Sequence, residues 1–330
     1  MKKRILTGIT TTGIPHVGNY LGAIKPSLEL AKQNKESFFF LADYHALIKS
    51  QDSESIRLSV KEVALAWLSS GLDVNKSFFY RQSDIKEITE LSWILTCITS
   101  KGLMNRAHAY KAATAQNEGD EDAGVNMGLF SYPILMASDI LIFNSTHVPV
   151  GNDQLQHLEM TRDIAIRFNH SYKKIFNIPE AIIQKEGSLI PGLDGRKMSK
   201  SYNNIIPLIS DEKTLKKSIS RIVTNSIEPG VPKDHQNCNI FKLYSNFSSH
   251  EELENFKQEY ADGISWGDAK IKLFNLMNSK LLPIREKSEE LKSDKDCVND
   301  LLSAGAKKVR PLASEMLDKV RDLVGISKVN

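Results

Sequence analysis

The sequence predicts an α/β fold: a doubly wound parallel (Rossmann-like) sheet, followed by a mainly helical C-terminal region. Three observations carry this expectation. Short β-prone runs alternate with amphipathic helical stretches in the first half of the chain. One of those runs, Ser37-Phe38-Phe39-Phe40-Leu41-Ala42, is continuous enough to be a strand buried on both faces. Beyond about residue 207 the strand signals fade and helical patterns continue to the end.

Taken in order, Arg4 to Ile9 forms a short strand that ends in a loop rich in Thr and Gly. An apolar-periodic helix starts near Val17. After the strand at 37–42, Asp52 or Ser53 caps a helix whose stripe is Ile56, Val60, Ala64, Trp67 and Leu68, and Gly71 is placed to end it. Ser77-Phe78-Phe79-Tyr80 is a third strand. Residues 98–126 break the alternation and read as an insertion, with an acidic, solvated tip at 117–124. A helix is expected to start near Pro133, a residue suited to a first turn. His147-Val148-Pro149-Val150 is a strand leading into a helix from Asn152 to about Phe168. Residues 185–206 are a loop rich in Gly, Lys, Ser and Asn. Ser249-x-x-Glu252 is a capping box, and the last helix is expected over roughly Pro311 to Val324. The expected division is therefore a catalytic domain over 1–200 and a helical domain over 201–330, with the last helix packing back on the first.

Composition bounds the function classes. The chain has 330 residues, 41% hydrophobic, with net charge +3, enough for a sizeable core and only mildly basic. Cys97, Cys238 and Cys297 are odd in number and widely spaced, so neither a disulfide framework nor a zinc site is expected, and reduced thiols in the cytoplasm are. Met1-Lys2-Lys3-Arg4 is basic, but Thr7, Gly8 and the Thr10-Thr11-Thr12 run leave no apolar stretch behind it, so no signal peptide is expected. No stretch reaches the apolar length of a membrane span, so no membrane partner is expected.

Two motifs carry chemistry. His16-Val17-Gly18-Asn19 sits where the first strand hands over to the first helix, at the carboxyl end of a parallel sheet, where ligands bind. Free N–H groups at a helix start attract phosphate, and Gly13 and Gly18 permit close backbone approach. His16 and Asn19, three apart, share one face of the first turn. Neither a P-loop nor a Gly-x-Gly-x-x-Gly occurs at this position. The second motif is Lys197-Met198-Ser199-Lys200-Ser201, after Gly192-Leu193-Asp194-Gly195-Arg196. Two lysines can meet the charge developing on a leaving pyrophosphate, hydroxyls add hydrogen bonds, and flanking glycines let the segment swing.

With these two motifs in this order, the chain resembles the class I aminoacyl-tRNA synthetases. Asn19 in place of a second His resembles the tyrosine and tryptophan branch. The resemblance covers nearly the whole chain and is strongest at 7–23, 38–46, 92–111, 127–163 and 192–207. The family resemblance implies that ATP contacts Thr10, Thr11, Thr12, Gly18, Asn19, Gly151, Asn152, Asp153, Ile190, Lys197, Met198, Ser199, Lys200 and Ser201, with His16, Asn19, Lys197, Ser199 and Lys200 catalytic. At Thr10 to Thr12 the chain departs from the Gln-Pro-Ser of many bacterial members.

The amino acid is read from Tyr132-Pro133-Ile134-Leu135-Met136-Ala137-Ser138-Asp139. Tyr132, Met136 and Asp139 line one helix face, and Asp139 interrupts an apolar run, where a carboxylate needs a partner. Tyrosine-specific members carry Gln where Met136 stands. An indole offers one N–H and no acceptor, which suits one carboxylate and a thioether. This segment resembles the tryptophan-specific members, and the likeness implies tryptophan binding by Asp139, Met136, Tyr132, Gln154 and His45. His45 is alternatively a half-buried structural residue, and Lys111 either reaches phosphate or only solvates the insertion. The implied function is ATP-dependent activation of L-tryptophan and transfer to tRNA(Trp), with a tyrosine-specific ligase as the alternative. Mg²⁺ is expected to arrive with ATP, without a dedicated protein metal site. The resemblance further implies a homodimer with 98–111 at its two-fold, and anticodon reading by the helical region. A silent RNA-binding paralogue would have lost loop lysines or residues of the His16 turn, and a small-molecule nucleotidyltransferase would need neither the loop nor the helical half.

Overall fold

Phe38 and Phe40 enter the core on one face of a sheet, Phe39 and Leu41 the core on the other, so the predicted apolar run is a strand covered on both sides. A computed structural model describes residues 3–34, 36–115, 123–183 and 190–327. Among these residues the sheet has five parallel strands: β1 (Arg4–Thr10), β2 (Glu36–Ala42), β3 (Phe78–Arg81), β4 (His147–Val150) and β5 (Glu180–Ile183). Their spatial order is β3-β2-β1-β4-β5, which reverses direction between β1 and β4.

The register at that reversal is uneven. β1 pairs with β2 from Arg4↔Glu36 to Thr10↔Ala42, but with β4 only at Ile5↔His147. Past that pair the two strands part, leaving a crevice at their carboxyl ends.

Helices cover both faces. After β1 come α1 (Val17–Asn19), a π-helical turn at Tyr20–Ile24 and α2 (Lys25–Lys32). α3 (Asp43–Ala46) follows β2 directly. α4 (Ser53–Ser69) starts at the predicted cap, where Asp52 Oδ2 accepts from Ser55 N–H at 3.0 Å. α5 (Glu87–Ile98) follows β3. Within the predicted insertion lie two short helices that the sequence pattern did not reveal, α6 (Lys101–Met104) and α7 (His108–Thr114). The acidic stretch 117–122 lies outside the described residues.

α8 (Met127–Ile142) begins earlier than expected. Its cap is Asn126, whose Oδ1 accepts from Leu129 N–H at 2.8 Å, and Pro133 sits inside the helix rather than at its start. The proline loses the hydrogen bond to the carbonyl four residues back, here Leu129, and its ring crowds that carbonyl; burial of the apolar helix around it outweighs both costs. α9 (Leu155–Ser171) follows β4 through a tight turn at Asn152–Gln154. Then come β5, which the sequence pattern also missed, α10 (Glu212–Ser220), α11 (Asn239–Ser245), α12 (His250–Ala261), α13 (Trp266–Ser293) and α14 (Cys297–Val324). The capping box at Ser249 and Glu252 forms as predicted and starts α12.

The helical region is not separate from the sheet. α4 and α10 to α13 share one core: Trp67, Leu215, Leu243, Leu273 and Met277 belong to the same cluster as Phe39. α14 is twice the length expected, because Val298, Leu302 and Val309 extend its apolar stripe upstream of Pro311. It returns to the sheet and covers the edge strand β3. Arg321 pairs with Glu90 at 2.5 Å, and Arg310 with Glu87 at 3.0 Å, fastening α14 to α5. The helix backbone lies against the strand at Gly305, where an added Cβ would stand 1.7 Å from the Phe79 carbonyl oxygen.

Gly305→Ala should therefore lower stability by about 1–3 kcal/mol or more through overpacking, read as a drop in the urea midpoint at unchanged slope. Gly102→Ala, where an added Cβ meets nothing within 4 Å, should leave the midpoint unchanged or slightly higher.

Candidate functional site

The crevice opened by the parting of β1 and β4 is a cavity of about 840 Å³. Its walls come mainly from four segments, the end of β1, the start of α1, the turn after β4 and the 190–202 loop, with Ser27, Val63 and Trp67 also lining it. At the β1 end, Gly13 has φ +62°, a backbone that favours glycine, and its N–H donates to Ser59 Oγ at 2.8 Å. Thr10 and Thr12 line the cavity. Thr11 does not: its side chain is buried and its hydroxyl donates to Ala42 O at 3.4 Å.

His16 caps α1. Its Nδ1 accepts from Asn19 N–H at 3.3 Å, and Asn19 Oδ1 accepts from His16 N–H at 3.1 Å. The predicted shared face is thus a reciprocal capping box. Because Nδ1 accepts, the ring proton sits on Nε2. Burial, helped by the Lys200 charge, lowers the His16 pKa to about 4, so at neutral pH the ring offers a hydrogen bond and not a charge.

The Lys197–Ser201 loop docks on this helix start. Met198, nearly buried, accepts from Gly18 N–H through Sδ at 3.3 Å, and its own N–H donates to Ile190 O at 2.9 Å. Lys200 Nζ donates to Thr12 O, and burial lowers its pKa. Lys197 is exposed on the cavity wall. Asn204, which sequence reasoning missed, organises the loop from beneath. Its Oδ1 accepts from Ser199 N–H at 2.8 Å, while Nδ2 donates to Asp194 Oδ1 at 2.7 Å and Lys197 O at 3.1 Å. Gly192 is required beside it, since an added Cβ would stand 2.3 Å from Asn204 Nδ2. The polar composition of 185–206 marked a loop but gave no sign that one asparagine holds it.

Across the crevice, Gly151 and Gln154 line the cavity and Asn152 is exposed beside them. The side chain of Asp153 lies outside the described residues. Gln154 leads to a second cluster. Its Oε1 lies 3.4 Å from His157 Nδ1, and His157 Nε2 is 2.6 Å from the Tyr132 hydroxyl. With Nδ1–H directed at Gln154, Nε2 accepts from Tyr132 O–H.

Tyr132, Met136 and Asp139 share a face of α8 as the spacing predicted, Tyr132 and Met136 half-buried and Asp139 only 1% exposed. The structure brings His45 to this face: its Nε2 lies 3.0 Å from Asp139 Oδ2, and its ring meets Tyr132 edge-on at 6.2 Å. The other partner, Gln82, was not foreseen. Its Nε2 donates to Asp139 Oδ1 at 2.8 Å and Oδ2 at 2.9 Å. No local signal pointed to Gln82, because the contact joins the turn after β3 to α8, 57 positions on, and is invisible to periodicity. Desolvation raises the Asp139 pKa, against the hydrogen bond and charge of His45 and the hydrogen bond from Gln82. Burial, with Asp139 nearby, pushes the Tyr80 hydroxyl well above its ordinary value.

The arrangement has two chemically distinct ends. The crevice presents backbone N–H groups, a neutral imidazole and two lysines, which suits a polyphosphate. The α8 end presents a buried carboxylate amid aromatic rings and a thioether, which suits a flat apolar group with one donor. Among the described residues, no group of three or more His, Cys, Asp or Glu side chains is placed to hold a metal ion.

Comparisons with known proteins agree with this geometry. Residues 1–281 match the family model for tRNA synthetases class I (W and Y). The tryptophan–tRNA ligase of Neisseria meningitidis serogroup A is 54% identical over 330 residues, spanning 98% of this chain and 98% of that protein. That of Pseudomonas aeruginosa is 52% identical over 333 residues, covering 99% of this chain and 74% of its own length. The crystal structure of tryptophanyl-tRNA synthetase from Campylobacter jejuni, complexed with ADP and tryptophan, superposes with a TM-score of 0.90 at 44% identity, covering 98% of this chain and 99% of that one. With a family model matched over most of its length, and relatives more than half identical along nearly all of it, the chain belongs to the class I tRNA synthetases of the tryptophan and tyrosine branch.

Proposed function

We infer that the chain activates L-tryptophan with ATP and transfers the tryptophanyl group to tRNA(Trp). The observation that carries this reading is the Asp139 carboxylate, buried on one α8 face with Tyr132 and Met136 and linked by way of Tyr132, His157 and Gln154 to the crevice. A tyrosine hydroxyl would find a thioether, Met136, where a carboxamide would serve it.

In the proposed reaction an oxygen of the tryptophan carboxylate attacks the α-phosphorus of ATP. The O–P bond forms, the bond to the β-phosphate oxygen breaks, and pyrophosphate leaves. The attacking carboxylate is already ionised, so no general base is required. The protein contributes placement and charge. Tyr132 and Gln154, at the junction of the two ends, hold the α-amino group. Gly18, Gly151, Asn152, Asp153 and Ile190 hold the nucleoside and phosphates, with the Thr10 to Thr12 loop beside them. His16 donates from Nε2–H. Lys197 and Lys200, with Ser199 and Ser201, meet the charge on the departing pyrophosphate. Mg²⁺ enters bound to ATP, as part of the substrate.

The acyl group then passes to the 3′ end of tRNA. We assign anticodon reading to the helical region 201–330, and a two-fold interface to 98–111. Trp93, 69% exposed on the adjoining α5, supports an apolar partner for that surface. Among the described residues no helix is long and apolar enough to cross a membrane.

Exchange of labelled pyrophosphate into ATP should depend on tryptophan; exchange with tyrosine and not tryptophan would reverse the assignment. Asp139→Asn should reduce kcat/KM for tryptophan by about 10- to 100-fold, the cost of losing a charged hydrogen-bond partner, with little change in KM for ATP. Equal loss for both substrates would make Asp139 structural. Lys200→Met, or Lys197→Met, should cut the adenylation rate by about 10²- to 10³-fold, the scale for removing a transition-state donor, while tryptophan affinity by calorimetry stays nearly constant.

A further inference from the structure

Gln82 is fully buried and stands in the tight turn at Gln82–Asp84 that closes β3. That turn is locked to the end of β2. Asp43 Oδ1 accepts from Ser83 N–H at 3.0 Å, Asp43 Oδ2 accepts from the Ser83 hydroxyl, and Arg81 Nε donates to Asp84 at 2.9 Å. The orientation of the Gln82 carboxamide follows from one contact: Tyr44 N–H lies 3.1 Å from Oε1. A backbone N–H can only meet the oxygen end, so the NH₂ end faces Asp139.

An NH₂ group donates and does not accept. Both Asp139 oxygens lie within 2.9 Å of it and accept from it, an arrangement that favours the ionised carboxyl, because donors to its oxygens stabilise the charge. Toward an ionised carboxyl His45 Nε2, facing Oδ2 at 3.0 Å, is the donor. A carboxylate has about four acceptor positions. Oδ2 receives Gln82 and His45, while Oδ1 receives Gln82 alone. The open position is on Oδ1. We propose that Gln82 is a specificity-determining positioning residue: it keeps Asp139 an acceptor with one lone pair of Oδ1 free, so that the pocket selects a ring bearing a single N–H donor.

Without Gln82 the balance shifts. Burial and the nearby Asp43 charge favour the protonated carboxyl, His45 alone opposes them, and the buried Tyr80 hydroxyl offers no charge. A protonated Asp139 can turn a donor toward an indole N–H and no longer penalises an isostere that lacks one.

This inference rests on tryptophan being the substrate, and the experiment separates the two. Pyrophosphate exchange is measured from pH 5.5 to 9 with tryptophan and with β-(3-benzothienyl)alanine, in which sulfur replaces the N–H. The enzymes are the unaltered chain, Gln82→Met and Gln82→Glu. In Gln82→Met the acid limb of kcat/KM for tryptophan should move to higher pH, with KM rising for tryptophan and not for ATP. Preference for tryptophan over the sulfur isostere should fall about tenfold or more, the scale of one unpaired buried group. Gln82→Glu, nearly isosteric, sets a second carboxylate against Asp139. The pair should hold one proton near neutrality and make KM for tryptophan pH-dependent there. If both variants keep the unaltered pH profile and preference, or lose activity equally toward tryptophan, isostere and ATP, Gln82 is merely structural and the proposal fails. Absence of tryptophan-dependent exchange in the unaltered chain would instead overturn the functional reading itself.

Discussion

β1 stays paired with β2 along all seven of its residues but leaves β4 after a single pair, and the rest of the site depends on that parting. Right-handed crossovers place the α1 side of β1 and the α9 side of β4 on opposite faces of the sheet, so no helix fills the space between their carboxyl ends. Backbone groups that would have joined a ladder are left facing a crevice. The start of α1, the turn after β4 and the 190–202 loop then close on the same opening from three directions. Two apolar cores fix the strands from both faces, and α14 fixes the free edge, so these ends are held by packed elements and not by the loops alone.

Burial acts in opposite directions at the two ends of this opening. It drives the proton off His16, down to about 4, leaving a neutral donor beside Lys200. It raises the proton affinity of Asp139, and the contacts from Gln82 and His45 are set against that tendency. One end is prepared for a polyphosphate without an extra permanent charge from the imidazole. The other holds an anion with a single vacancy among its lone pairs. Tyr132, His157 and Gln154 connect the two through hydrogen-bond contacts.

Contiguous features were legible in the sequence, and those built from distant segments were not. Lys197 to Ser201 and His16 to Asn19 are contiguous, so their residues are visible as motifs, while their roles come from the family resemblance that the two motifs carry together. Tyr132, Met136 and Asp139 obey helical periodicity. Gln82 reaches Asp139 across 57 positions, and Asn204 supports a loop whose sequence shows only polarity; neither obeys a period. Pro133 and Pro311 fit helix starts by sequence, since a first turn costs proline little, yet both lie inside helices whose apolar stripes run through them. β5 shows no strand signal of its own, because Glu180–Ile183 has no buried residue and opens on an exposed Glu, unlike the equally short β3 and β4.

The most direct measurement is a crystal structure of the chain with tryptophan and a non-hydrolysable ATP analogue. The indole nitrogen should lie at about 3 Å from Asp139 Oδ1, a hydrogen-bond distance, with Gln82 and His45 still on the same carboxylate and the triphosphate between His16 and Lys197–Lys200. An indole nitrogen directed away from Asp139, or a nucleotide seated outside the β1–β4 crevice, would contradict it.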